Sequence, residues 1–180
     1  GKFGIELSTE EIHSKRSEEI KAALLEKVRE KYARREIEYP VEFAMNMAFG
    51  PQGPNVYGFE ALADWANRRF SAGLTVEEIQ NTKPDAIYKN LLSLSEAYHN
   101  GRLDDETAEQ VGGLPSPEAL AAWCNERFET AFTAGDLADR AQAEAKILAA
   151  AKAFCRRELT DLEKYVLLQI YDSTWKDHLY

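Results

Sequence analysis

The sequence predicts an all-α protein, and three observations carry that prediction. Apolar residues recur at spacings of three and four through most of the 180 residues, as they do along one face of a helix. No segment alternates β-branched and polar residues in the way that is typical of a strand. Glycine and proline number only ten and six, too few for a turn-rich β protein. We therefore expect helices packed on helices around a single core.

Composition and charge limit the kinds of molecule that the chain is expected to bind. The chain is 44% hydrophobic and 29% charged, as in soluble globular domains, and its formal net charge is −9. Residues 40–139 hold six basic and sixteen acidic side chains, whereas the flanking blocks are almost neutral. Nucleic acid and anionic lipid surfaces require clustered Lys and Arg, so direct binding to either is disfavoured. A basic protein partner or a neutral protein surface remains compatible with this charge.

The sequence predicts a cytoplasmic location. It has no run of about 18 apolar residues, which a membrane-spanning helix would need, and no signal-peptide pattern at its start. The cysteines, Cys124 and Cys155, show no CxxC or other ligand spacing, which favours reduced thiols.

The first predicted element is a long charged helix that begins at a capping box formed by Ser8 and Glu11 and runs to about Ile37. Its apolar stripe consists of Ile12, Ile20, Leu24, Val28 and Tyr32. Pro40 is expected to close this helix. The Gly/Pro cluster at 50–54 is the clearest loop in the chain.

An internal repeat follows. Residues 59–70 and 117–128 align without a gap at an offset of 58 and share eight of twelve residues. Weaker similarity continues downstream, which predicts two tandem copies of a helix pair, 59–103 and 117–159. The aromatic residues of the aligned segments fall near one helical face and are the predicted core anchors. These anchors are Trp65, Phe70, Trp123 and Phe128.

Helix signals bound the two copies. Thr75 and Glu78 form a second capping box, Pro84 suits the first turn of a helix that runs to Gly101, and Ser116 is a favourable N-cap. The second helix of copy two is predicted from about Leu137 to Arg157. Apolar periodicity then continues to the C-terminus, so residues 137–180 form either one helix or two.

No motif for catalysis, metal binding or phosphate binding is present. The histidines, His13, His99 and His178, stand far apart and lack the spacing of metal ligands. Neither GxxxxGK[ST] nor GxGxxG occurs. Ser173, Asp177 and His178 are close in sequence, but on one helix they fan around the axis and cannot form a relay. We predict no catalytic residue, no metal and no cofactor in this chain.

The C-terminal string LEKYVLLQIYDSTWKDHLY (162–180) closely resembles a segment of the SecA family, the ATP-driven motors of bacterial preprotein export. The family pattern there, roughly L-L-Q-x-x-D-x-x-W-x-x-H-L, is met at every fixed position. The matching residues are Leu167, Leu168, Gln169, Asp172, Trp175, His178 and Leu179. Copy two resembles the unit that precedes this motif in the family's helical wing, and copy one resembles a second version of it.

The resemblance implies a division of the chain into three parts. Residues 1–58 would be the leading helix and loop of the helical wing domain. Residues 59–159 would be the wing with its two copies. Residues 160–180 would begin the helical scaffold and its two-helix finger. Because helical periodicity continues to Tyr180 without a stop signal, we expect an internal piece of a longer protein.

The resemblance also implies function. The parent would couple ATP hydrolysis, with ATP and Mg²⁺ bound elsewhere, to preprotein translocation through the SecY channel, at the inner face of the cell membrane. This segment would be non-catalytic and would transmit movement between packed helices. Its partners would be the other SecA domains, SecY and preprotein, and an exposed apolar face on its last helix would allow dimerisation. The alternative is a free-standing acidic α-helical adaptor that binds a basic protein.

Overall fold

A computed structural model describes residues 16–51 and 53–179, and all regular structure in these ranges is helical, as predicted. The helices are α1 (Ser17–Phe49), α2 (Val56–Phe70), α3 (Val76–Asn81), α4 (Pro84–Ala97), α5 (Leu103–Gly113), α6 (Pro117–Phe128), α7 (Arg140–Cys155) and α8 (Arg157–Leu179). A π-helical turn, Tyr98–Arg102, joins α4 to α5, and a 3₁₀ turn, Gly135–Leu137, precedes α7. The predicted capping box at Ser8 and Glu11 lies outside the described residues.

Helix α1 does not end at Pro40, so that prediction is wrong. A proline inside a helix removes one backbone hydrogen bond and costs about 3 kcal/mol. Here the turns after Pro40 bury Val41, Ala44 and Ala48 completely against the other helices. This burial of apolar surface offsets the lost hydrogen bond, and the helix continues to Phe49.

Helices α1 and α2 cross at a very short distance. A Cβ atom at Gly58 would lie 2.4 Å from the carbonyl oxygen of Met47 and 2.9 Å from the Cα of Ala48, so only glycine fits there. The Asn55 side chain caps α2 by accepting a hydrogen bond from the Gly58 amide at 2.8 Å. The sequence analysis placed the start of this helix three residues later.

The aligned aromatic residues have the same local geometry in both copies. Trp65 and Phe70 meet edge to face with ring centroids 5.5 Å apart, and Trp123 and Phe128 do so at 5.3 Å. Both phenylalanines are buried in the core. The tryptophans are only partly buried and pack against the core from its edge.

An aligned asparagine closes the loop after the first helix of each copy. The Asn67 amide donates to the carbonyl of Leu74 at 2.8 Å and accepts from its N–H at 2.7 Å. Asn125 makes the same pair of bonds with Phe132, at 2.9 and 2.8 Å. The residue that follows each helix, Ser71 or Glu129, has the left-handed backbone conformation that ends it.

The helix starts predicted at Thr75, Pro84 and Ser116 are confirmed. Thr75 and Glu78 form the predicted capping box, Pro84 occupies the first turn of α4, and the Ser116 hydroxyl accepts from the Ala119 amide at 3.3 Å. Thr133 and Asp136 make the corresponding contacts in copy two, where the Asp136 carboxylate accepts from the Thr133 amide at 2.8 Å.

Further boundaries differ from the sequence expectation, since the helix predicted from about Leu137 begins at Arg140. The helix predicted to end at Gly101 ends at Ala97, and the chain then turns through a positive φ of 117° at Gly101 into α5, which the sequence analysis did not predict. Residues 137–180, left open as one helix or two, are divided at Arg156, whose φ and ψ of −103° and 1° break the ladder between α7 and α8. The chain passes through Thr160 without a second break.

The core lies among the C-terminal half of α1, helices α2 to α7 and the two turns Tyr98–Arg102 and Gly135–Leu137. Helix α1 packs on α2, α4 and α8, while α5 and α6 pack on α7. The N-terminal half of α1 and most of α8 are outside this core. The predicted stripe at Leu24, Val28 and Tyr32 is therefore more than one-third exposed, although its periodicity is that of a packed helix.

We predict that Phe128→Ala lowers the free energy of unfolding by about 3–5 kcal/mol, because it empties a fully packed aromatic site. Trp123→Ala should cost less, since this side chain is only partly buried. Chemical denaturation followed by circular dichroism measures both. A larger loss for Trp123→Ala than for Phe128→Ala would contradict this ranking.

Candidate functional site

The most polar part of the interior is the junction between α7 and α8, which is organised by Arg69. The Arg69 side chain is 2% exposed and its partner, Glu158, is 11% exposed, with Nη2 and Oε2 2.7 Å apart. The guanidinium also donates to the carbonyls of Phe154 at 2.9 Å and Cys155 at 2.5 Å. Arg69 belongs to α2 of copy one, so copy one supplies the cation that holds the end of copy two.

This arrangement satisfies two helix ends at once. The carbonyls of Phe154 and Cys155 belong to the last turn of α7, where a cation is favourable, and Glu158 lies in the first turn of α8, where an anion is favourable. Burial lowers the pKa of Arg69, and the Glu158 carboxylate opposes that effect. The guanidinium remains charged because arginine does not deprotonate in proteins.

Aromatic rings complete the surroundings of this ion pair. The Trp65 indole N–H donates to Glu158 at 2.9 Å, and the guanidinium lies 5.0 Å from the Trp65 ring and 5.4 Å from the Phe154 ring. The Nε atom of Arg69 is buried without a hydrogen-bond partner among the described residues. We call Arg69, Glu158 and Trp65 the pivot.

Arg127 of copy two, the residue aligned with Arg69, binds groups at the end of a helix of copy one. Its Nη2 donates to the carbonyl of Arg69 at 3.0 Å, and its Nη1 donates to that of Arg68, both in the last turn of α2. Its Nε donates at 3.0 Å to Glu106, in the first turn of α5. Each copy therefore supplies an arginine that caps the end of a helix of the other copy and binds a carboxylate in the first turn of a further helix.

A second polar cluster joins α1 to α8. Arg156 donates to Glu36 of α1 at 2.8 Å and to Glu163 of α8 at 2.6 Å. The Tyr32 hydroxyl of α1 also donates to Glu163. We call Arg156, Glu36, Glu163 and Tyr32 the clasp. Its charged side chains are about one-third exposed, unlike those of the pivot.

The clasp changes the protonation behaviour of its members. The hydrogen bonds from Arg156 to Glu163 and Glu36 raise the pKa of Arg156. The bond to Glu163 raises the pKa of Tyr32. Burial acts to raise the pKa of Glu163, but hydrogen bonds from Arg156 and Tyr32 outweigh it, so that pKa is lowered. All these shifts favour the closed, ion-paired clasp at neutral pH.

An open groove of about 580 Å³ runs between α1, α2 and α8, beside the pivot. Its lining includes apolar side chains from all three helices. These are Tyr39, Phe43, Met47, Trp65, Leu162 and Tyr165. Charged residues at its edge pair with one another, as Glu129 does with Arg157 at 2.8 Å.

The predicted family-motif residues lie together on α8, away from the core. Gln169, Asp172 and His178 are exposed, and Trp175 is 63% exposed. Large apolar side chains surround them on the same helix and are also exposed. They are Tyr165, Val166, Leu167, Leu168, Ile170 and Tyr171. Leu179 is the last residue of α8.

The two cysteine thiols are weak nucleophiles. Burial raises the pKa of the Cys124 thiol to about 11 and also raises the pKa of Cys155, so both thiols are protonated and poor nucleophiles at neutral pH.

Within residues 16–51 and 53–179, no three His, Cys, Asp or Glu side chains converge as metal ligands would. None of the helices in these ranges is apolar over a length that could span a bilayer.

The sequence analysis missed the arginines and asparagines that organise the site. Arg69, Arg127, Asn67 and Asn125 are all shared between the two copies, as the tryptophans are. Their identity at an offset of 58 was the available signal. The repeat by itself predicts core packing only for the aromatic residues. The partners of Arg69 lie more than eighty residues away in sequence, so no local pattern indicates them.

Comparison with known proteins gives one informative match. The chain is 30% identical, over 200 aligned positions, to the protein translocase subunit SecA 1 of Rhodopirellula baltica. The alignment covers 99% of this chain and 16% of that protein. No protein-family model matches the chain, and no solved structure matches it.

This chain is similar to part of a SecA protein. Because the alignment covers nearly all of it, the similarity extends from the C-terminal motif through both copies of the repeat. The chain spans only a small part of that relative's length.

We predict that Glu158→Gln lowers the free energy of unfolding by about 3–5 kcal/mol, because it leaves the Arg69 charge buried without its counter-charge. The matched control is Glu129→Gln, which removes a carboxylate that binds two arginines but is exposed. This control should cost less than about 1 kcal/mol. Equal losses in denaturant titrations of the two variants would show that burial of the pivot has no energetic consequence.

We also predict a pH dependence that originates at Glu163. Its pKa is lower in the folded chain than the ordinary value of 4.5, so its contribution to stability is complete above that value and disappears as the pH falls through the folded pKa. Melting temperatures measured from pH 7 to pH 3 should therefore fall less steeply for Glu163→Gln than for the unaltered chain. Parallel curves for the two proteins would contradict this assignment.

Proposed function

We propose that this chain is a non-catalytic wing and scaffold segment of a SecA-like, ATP-driven protein-export motor. The observation that supports this most directly is the alignment of 99% of the chain with a small part of a protein translocase subunit. In this proposal, residues 1–58 lead into the wing, 59–159 form the wing, and 160–180 begin the scaffold and its two-helix finger.

The shape of the segment suits transmission of movement rather than chemistry. The two copies form a packed body, and α1 and α8 are two long helices that contact each other and project exposed apolar residues. Movement of a helix relative to a packed body is a common way to couple distant domains. The motor's ATP and Mg²⁺ would bind to domains outside this segment.

The motif residues of α8 supply the proposed contact surface. Trp175 and its apolar neighbours are exposed here, and exposed apolar surface of this extent usually marks an interface. We propose that other SecA domains cover it in the parent, with SecY and preprotein as the parent's partners at the cytoplasmic face of the membrane. In the isolated chain the same surface would support dimerisation.

A chimera tests this function. We predict that Rhodopirellula baltica SecA 1 with its aligned segment replaced by this chain retains ATP-dependent preprotein translocation into inverted membrane vesicles. Trp175→Ala in the chimera should lower the translocation rate about tenfold or more, because truncation of a buried interface tryptophan costs about 2 kcal/mol or more. Tyr171→Ala is the matched control, since Tyr171 is an exposed aromatic of the same helix outside the motif.

Two results would contradict the proposal. The first is a folded chimera that hydrolyses ATP but translocates nothing. The second is magnesium-dependent ATP turnover by the purified chain alone. Tight binding of the purified chain to a basic protein, together with an inactive chimera, would instead support the acidic adaptor.

A further inference from the structure

Two clusters of different character hold α8 to the rest of the molecule. The pivot lies at the first turn of α8, directly after the break at Arg156. The clasp lies one to two turns further along, at Glu163, and connects α8 to α1 through Arg156, Glu36 and Tyr32. Beyond the clasp the large apolar side chains of α8 are exposed.

The two clusters differ in their access to water. Arg69 and Glu158 are 2% and 11% exposed, whereas the clasp's Arg156 and Glu36 are 33% and 30% exposed. Water and salt compete effectively with exposed ion pairs and poorly with buried ones. Breaking the pivot would also leave the last carbonyls of α7 without the Arg69 guanidinium that donates to them. Opening the clasp causes no such loss at a helix end. The clasp is therefore the contact that opens first.

The break at Arg156 provides the place where the chain can turn. Its backbone conformation is not helical, so a change of angle between α7 and α8 there disrupts no continuous helix. Arg156 is both the hinge residue and a member of the clasp. Rotation at this residue would move the guanidinium that links Glu36 to Glu163.

We propose that α8 swings relative to the body of the two copies, turning about the buried pivot whenever the exposed clasp opens. Opening separates residues 163–179 from residues 17–36 of α1 and leaves the core between α2 and α7 unchanged. The clasp thus sets the population of the closed state, and the pivot keeps α8 attached in both states. This device is a property of the chain itself and does not depend on the proposed role in export.

The test is amide hydrogen exchange, followed by mass spectrometry, on the 180-residue chain. The clasp variant combines Tyr32→Phe with Glu36→Gln, which removes the two contacts that α1 makes within the clasp. Exchange should become about three- to tenfold faster in residues 17–36 and 163–179, because their helical turns open more often once the two segments no longer hold each other, and should stay unchanged in residues 56–70 and 140–155. The indole N–H resonance of Trp65, which reports its bond to Glu158, should keep its chemical shift.

Two variants serve as references. Arg34→Gln breaks an exposed ion pair with Glu38 within α1 and should leave exchange unchanged. Glu158→Gln should instead shift the Trp65 indole resonance, because it changes the acceptor of that bond. The proposal is overturned if the clasp variant exchanges at the unaltered rate, if Arg34→Gln has the same effect, or if faster exchange extends to residues 56–70.

A second measurement needs no substitution. Raising the salt concentration from 0.05 to 0.5 M shortens the screening length several-fold and weakens exposed ion pairs selectively. Exchange in residues 163–179 of the unaltered chain should then become faster, with no change at Trp65. Exchange that is independent of salt, or a salt-induced shift of the Trp65 resonance, would overturn the proposal.

Discussion

The structure depends on the burial of one charge, the Arg69 guanidinium. This charge can remain in the interior because its strong partners are groups at helix ends. They are two carbonyls at the end of α7 and a carboxylate at the start of α8. An unpaired buried cation would be very unfavourable, so the end of α7 and the start of α8 must stay beside Arg69 of α2. The attachment of copy one to the end of copy two follows from that requirement.

Arg127 extends the same principle to the other side of the interface. It also binds two carbonyls at a helix end, those of α2, and a carboxylate in a first turn, Glu106 of α5, so an arginine from each copy holds a helix end of the other copy. The aromatic pairs, by contrast, act within each copy. Apolar contacts thus form the two units, and charged contacts to helix ends fix how the units meet. A duplicated sequence gives an asymmetric molecule because only copy two continues into α8.

The functional proposal and the hinge depend on different parts of this architecture. The proposed role in protein export rests on similarity to part of a SecA protein. The contrast between a buried pivot and an exposed clasp indicates how the segment would change shape. A long helix held firmly at its first turn and loosely one to two turns later can change direction without unfolding the body that carries it.

Local signals in the sequence determined the fold class, the capped starts of α3 and α6, the proline-marked start of α4, and the family to which the C-terminal motif is similar. These features depend on residues within about four positions of one another, where side-chain and backbone preferences act directly. Only the tertiary structure decided the continuation of α1 through Pro40, the break at Arg156 and the partners of Arg69. Each of these balances a local cost against burial or charge pairing with residues distant in the chain, and no local pattern records that balance.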